Sequence, residues 1–167
     1  MTRVSLGILL LAALLACAKE QPRRVQNDNL GIAATFPGEP KLYKHQEPTP
    51  FGSMEWFDTA YSPPGRMDES FHVQVGNLPE GTKGGATPAE VAETFAAWLR
   101  ARLGSLDRRS LPGGGGAGFA YRAAGPGGTR IEGVLVVRRG RLHHAQGTVA
   151  PGGEARMRAF IDGFEVR

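Results

Sequence analysis

Thr87-Pro88-Ala89-Glu90-Val91-Ala92-Glu93-Thr94-Phe95-Ala96-Ala97-Trp98-Leu99-Arg100-Ala101-Arg102-Leu103-Gly104 is the stretch on which the fold turns. Thr87 suits an N-cap, Pro88 the first helical position, and Glu90 the acidic place of a capping box. Val91, Ala92, Phe95, Ala96, Leu99 and Leu103 fall on one stripe at helical spacing, with Trp98 at its border. Gly104 is a natural stop. A helix this one-sided must lay its stripe on another element, and the surrounding sequence offers only strands.

Outward from the helix, both flanks alternate with period 2. On the N-terminal side, Leu30 to Phe36 reads as a half-buried strand and Lys41 to Gln46 as a short edge strand. Ser53 to Tyr61 reads as a strand rich in aromatics, and Phe71, Val73 and Val75 mark another. Phe36-Pro37-Gly38-Glu39-Pro40, Pro48-Thr49-Pro50-Phe51-Gly52 and Pro63-Pro64-Gly65 supply the turns between them. On the C-terminal side come a weak strand at Ser105–Leu111, a glycine loop at Pro112–Gly116 and a short strand at Phe119–Arg122. Ile131–Arg138 and Arg141–Val149 form a hairpin closed at Arg139-Gly140, where glycine supplies a positive φ. Met157, Phe160, Ile161 and Phe164 recur at i, i+3, i+4 and i+7 and mark a closing helix. The order is strands, helix, strands, helix. Links of hairpin length predict an α+β domain, an antiparallel β-sheet with helices packed on its faces.

Three features carry a family resemblance: the strand ending in Phe36-Pro37, the Thr49-Pro50-Phe51-Gly52 lead-in to the aromatic strand, and the element order from Asn29 to Arg167. They resemble small bacterial envelope domains of PsbP-like fold. The resemblance implies a sheet between helices and a non-enzymatic binding or assembly role; it carries no catalytic residue onto this chain. Fold alone does not fix function.

Before the domain, Met1 to Cys17 has the form of an export signal. Arg3 gives a positive start, Val4 to Ala16 is almost unbrokenly apolar, and the run is shorter than the ~20 residues that span a bilayer. Leu14-Leu15-Ala16-Cys17 resembles the lipobox of bacterial lipoproteins. That implies cleavage between Ala16 and Cys17, a diacylglyceryl group on the Cys17 thiol, and a membrane anchor through that lipid. Residues 1–16 are then a signal peptide, 17–28 a lipidated cysteine with a flexible polar tether, and 29–167 the single domain. In the enteric sorting rule an Asp after the cysteine retains a lipoprotein in the inner membrane. Ala18 stands there, which favours the periplasmic face of the outer membrane.

Composition narrows the chemistry. The chain carries a net +4, and loss of Arg3 with the signal leaves +3, spread along the sequence and without the basic and aromatic clustering of a nucleic-acid module. Cys17 is the sole cysteine, so once it is lipidated the domain has no thiol for a disulfide, a zinc site or a nucleophile. Gly113, Gly115 and Gly118 satisfy G-x-G-x-x-G, but a strand pattern follows where a phosphate site needs a helix N-terminus. His143 and His144 are adjacent and point to opposite faces of a strand, so they cannot chelate one ion between them. His72 or His45 could join either from a neighbouring strand, but no carboxylate stands at a motif spacing. No catalytic signature is present. Glu55, Asp58, Asp68 and Glu69 are the carboxylates from which a hydrolase would have to be built. No metal, cofactor or catalytic residue is expected.

Trp56 and Phe57 take successive strand positions and so lie on opposite faces of the sheet. One belongs under the helix; the other is covered by the closing helix with Phe160 and Phe164, by a ligand or by a partner. His143, on a face of small residues (Ala145, Gly147), could border a groove. The leading expectation is therefore a membrane-anchored envelope lipoprotein with a non-catalytic domain facing the periplasm and binding another envelope component. The alternative is a small-molecule or lipid site near Trp56, Phe57 and His143. A hydrolase with an unrecognised site comes third.

Overall fold

A computed structural model describes residues 21–83, 85–111 and 117–167. The signal segment, Ala16, Cys17 and the whole Pro112–Gly116 loop reading, with Gly113 and Gly115, lie outside them.

Seven strands form one antiparallel sheet: β3 (Lys41–Thr49), β4 (Gly52–Tyr61), β5 (Ser70–Asn77), β6 (Asp107–Ser110), β7 (Ala117–Ala124), β8 (Arg130–Arg138) and β9 (Arg141–Val149). Their spatial order is β3-β4-β5-β9-β8-β7-β6, which leaves β3 and β6 as open edges. Three shorter strands make a second sheet in the order β1-β2-β10: β1 (Arg23–Asn27), β2 (Ile32–Phe36) and β10 (Glu165–Val166). Among the described residues three α-helices complete the fold: the single turn α1 (Glu80–Lys83), then α2 (Pro88–Leu103) and α3 (Glu154–Asp162). No helix among the described residues is long and apolar enough to cross a membrane.

The two faces of the large sheet are covered differently. α2 begins with the anticipated reciprocal cap: the Thr87 amide donates to Glu90 Oε2 at 2.7 Å and the Glu90 amide to Thr87 Oγ1 at 3.3 Å. Gly104 ends it at φ 78°. Its buried stripe, Val91, Ala92, Phe95, Ala96 and Leu99, packs in one core with Met54, Trp56, Tyr121, Leu135 and Leu142. At about 2–3 kcal/mol for each large apolar side chain, this burial holds the helix down, since a helix of this length is marginal alone. The opposite face was expected to carry a helix only. It carries α3 together with the small sheet: Phe36, Phe71, Val73, Val75, Val149, Met157 and Phe160 form a second core. Phe160 packs on Phe36 and Phe71 at ring distances of 5.2 and 5.3 Å.

Three expectations are corrected by pairing partners distant in sequence. Within the tether expected over 17–28, Arg23–Asn27 is instead a strand, pairing in register with Ile32–Phe36 as β1. Its sequence, Arg-Arg-Val-Gln-Asn, buries almost nothing; ladder hydrogen bonds to β2 and the ion pairs Arg23–Glu39 (3.1 Å) and Arg24–Glu165 (3.1 Å) hold it. The chain does not end on a helix: Gly163 stops α3, Phe164 follows, and Glu165–Val166 adds to the small sheet opposite Ala33 and Ile32. The edge strand is also longer, nine residues through Pro48 and Thr49. The β8–β9 hairpin closes as read, with Arg139 at φ 52° and Gly140 at φ 71°.

Candidate functional site

Between α2 and the sheet lies a cleft of about 440 Å³. This falls within the ~300–1,000 Å³ range of small-molecule sites. Its floor is Trp56 and Asp58 of β4, His72 and Gln74 of β5, and His144 and Gln146 of β9. Strand register explains the grouping: Asp58 stands opposite Gln74, Gln74 opposite His144, and His72 opposite Gln146. With period 2, all of them project to the α2 side. Phe95, Trp98 and Leu103 of α2 form one wall and His45 to Glu47 of β3 the other.

The floor is one connected chain of hydrogen bonds. Asp58, 6 % exposed, sits beside His72 Nδ1 (3.0 Å from Oδ2) and accepts from Gln74 Nε2 at 3.2 Å. The Gln74 amide is thereby oriented, and its Oε1 accepts a hydrogen bond from His144 Nδ1–H at 3.2 Å. His144 Nε2 is then the bare nitrogen, 2.7 Å from the Tyr121 hydroxyl. That hydroxyl is also 2.8 Å from Gln146 Oε1 and has one proton for two acceptors. Burial, with repulsion from His72 as the next cause, pushes the His144 pKa down to about 4 and keeps the ring neutral. Burial likewise raises the Tyr121 hydroxyl well above its ordinary range.

The charged groups of the cleft are matched among themselves. Asp58 has His72 and Gln74, and at the rim Arg102 bonds Glu47 while stacking 4.4 Å over Trp98. Phe95 lies 4.7 Å from the Trp98 ring. The indole Nε1 of Trp56 is buried without a partner. Gly76 fits beneath this ring, since a Cβ there would fall 3.0 Å from Trp56 Cε3 and Cζ3. With its Nδ1 held at Asp58, His72 keeps Nε2 for a bound molecule. Among the described residues no serine, threonine, cysteine or lysine lines the cleft, and what the site presents is the oriented His72 imidazole, the amides of Gln46, Gln74 and Gln146, and an apolar wall.

Trp56, Phe57 and His143 do not share a groove. Trp56 is in the cleft floor. Phe57 is on the opposite face, half-buried, with Lys44 Nζ 5.3 Å from its ring centroid, and outside the core that Phe160 completes. His143 is buried on that opposite face too, and its Nδ1 has no partner. Burial, reinforced by Arg141 and Arg138, pushes its pKa down to about 4. The imidazoles of the cleft are His45, His72 and His144 instead. Among the described residues no group of three or more His, Cys, Asp or Glu is placed to hold a metal. Asp58 was weighed only as a hydrolase carboxylate, and Gln74, Gln146 and Tyr121 were not singled out. The available signal was the recurrence of polar residues on the helix-covered face of inner strands.

No family model matches the chain. No curated protein matches it. Its structure is similar to the solution structure of cyanobacterial PsbP (CyanoP) from Synechocystis sp. PCC 6803, with a TM-score of 0.56, 12% identity, and coverage of 100% of this chain and 98% of that one. The domain is PsbP-like in fold.

Proposed function

We propose that this chain is a lipoprotein of the cell envelope, anchored through lipid on Cys17, whose PsbP-like domain faces the periplasm and binds a ligand without chemical conversion. The lipobox-like Leu14-Leu15-Ala16-Cys17 and the apolar run before it support the anchor, and Ala18 favours the outer membrane. The observation that carries the binding reading is the cleft floor. Its carboxylates are engaged internally, Asp58 by His72 and Gln74 and Glu47 by Arg102, so an ionic ligand would have to displace one of these partners. The remaining capacity, at His72 Nε2 and the amides of Gln74 and Gln146, suits a neutral molecule that both donates and accepts hydrogen bonds and has one apolar side for Trp98 and Leu103. A protein partner is the second reading, favoured by Leu42 and Tyr43, 61% and 51% exposed on the open edge of β3.

Two experiments test this. Cys17→Ser abolishes palmitate labelling and releases the protein from membranes; unchanged fractionation refutes the anchor. Native mass spectrometry of the domain purified from its own envelope shows an added neutral mass that Gln146→Ala loses. Absence of that mass, together with crosslinking from position 43 to an envelope protein, refutes the cleft in favour of the second reading.

A further inference from the structure

The chain from Cys17 enters the domain at the Arg23 end of β1, and we infer that the Ser62–Glu69 loop at that end, led by Met67, docks on the lipid surface. The inference rests on the lipid anchor at Cys17 proposed above and goes beyond it.

The chain enters the fold at Arg23, opposite Phe36. Arg23 Nε bonds Glu39 at 3.1 Å, and a Cβ on Gly38 would fall 2.5 Å from Tyr61 Cζ. The start of β1 therefore lies beside the end of β4, where the Ser62–Glu69 loop leaves the sheet. The β1–β2 turn is at the opposite end, where Arg141 Nη1 donates to the Asn29 carbonyl at 2.7 Å.

With β1 beginning at Arg23, only residues 18–22 separate the lipidated cysteine from the folded domain. Fully extended they reach about 20 Å. A domain of this size is about 35–40 Å across. A leash shorter than the body it holds keeps the Arg23 end toward the bilayer and the Asn29 end away from it.

The loop at that end has an apolar tip on a fixed base. Met67 is the most exposed large apolar side chain among the described residues, at 103%. Two residues on, Glu69 is 4% exposed and accepts from Arg156 Nη2 of α3 at 2.7 and 2.9 Å. Backbone bonds from Arg66 to Pro63 and from Glu69 to Arg66 close the turns between. Met67 is thus presented by a braced loop. Lys41 and Arg130, which open β3 and β8 at the same end, have no ion-pair partner among the described residues and can meet headgroup phosphates. Asp68 and Glu154 stand nearby, so the contact is led by the apolar tip and not by net charge.

The full-length lipidated protein in vesicles of phosphatidylethanolamine and phosphatidylglycerol tests this. The Cys17 thiol is consumed by its thioether, so Met67→Cys and, separately, Asn29→Cys each take a single environment-sensitive thiol dye. Both sites are exposed and away from the cores. The expected result is a blue-shifted dye at 67, quenched by lipids carrying a headgroup-depth nitroxide, and a dye at 29 that behaves as in the soluble Cys17→Ser protein. A protein that floats with vesicles while both dyes report water overturns the docking and leaves the anchor standing. A protein that neither takes palmitate nor floats overturns both.

Discussion

His143 and His144 are neighbours in sequence on opposite faces of β9, both buried and both held neutral, and together they make the domain acid-sensitive. Each has its pKa lowered from 6.5 to about 4, in both cases first by burial. An unfolded chain protonates both rings below about pH 6.5, whereas the folded domain refuses those protons until about pH 4. Stability contributed by the neutral rings is therefore complete above pH 6.5 and is lost as pH falls through that window. At pH 5 the two pKa values give a loss of about 2 kcal/mol per imidazole, hence about 4 kcal/mol for the pair, a large share of a typical ~5–15 kcal/mol. Urea unfolding of the soluble Cys17→Ser protein at pH 7.5 and pH 5 reads this difference directly. His144→Gln removes one of the two rings, and its difference between the same pH values falls to about 2 kcal/mol, although its stability at pH 7.5 also drops with the lost network. Ring resonances titrating near pH 6.5, or a pH difference that His144→Gln leaves unchanged, refute the argument.

Three further outcomes follow from packing. Gly133→Ala places a Cβ 2.4 Å from Tyr121 Cζ, which forces the ring off His144 and costs about 1–3 kcal/mol by urea denaturation. Thr87→Ala removes the capping hydroxyl of α2 and costs about 1 kcal/mol, with the first-turn amides showing the largest rise in hydrogen exchange. Arg156→Met strands the buried Glu69 carboxylate beside Arg66 alone. It destabilises by about 3–5 kcal/mol at pH 7.5, and a Glu69→Gln, Arg156→Met double variant recovers part of the loss.

Much of the architecture was legible where local chemistry and periodicity agree. The Thr87–Glu90 cap, the α2 stripe and the Arg139–Gly140 hairpin are written in contiguous residues, and each occurs where the sequence places it. β1 and β10 were not legible. Val25 and Val166 are their only apolar residues, and what makes them strands is β2 lying between them. The site was half legible for a related reason. Alternation puts Trp56 and Phe57 on opposite faces, but only the register of β5 against β9 brings Asp58, Gln74 and His144 into line. His143, which the sequence singles out, and His144, which lines the cleft, are one residue apart, and in a strand one residue is the whole thickness of the sheet.

The open edges β3 and β6 bear on how copies of this protein tolerate one another. A strand edge nine residues long is a template for another chain, and under the proposed lipid anchor copies confined to a surface would meet far more often than molecules in solution. Each edge carries two cations, Lys41 and Lys44 on β3 and Arg108 and Arg109 on β6; Lys44 is paired with Glu55 and Arg108 with Glu93, which leaves Lys41 and Arg109 to set cation against cation on edge-to-edge approach. Pro48 removes a backbone donor from the longer edge. Crowding is thereby resisted by repulsion built into the rims, and substitutions that neutralise Lys41 and Arg109 would surface first as aggregation, before any loss of fold.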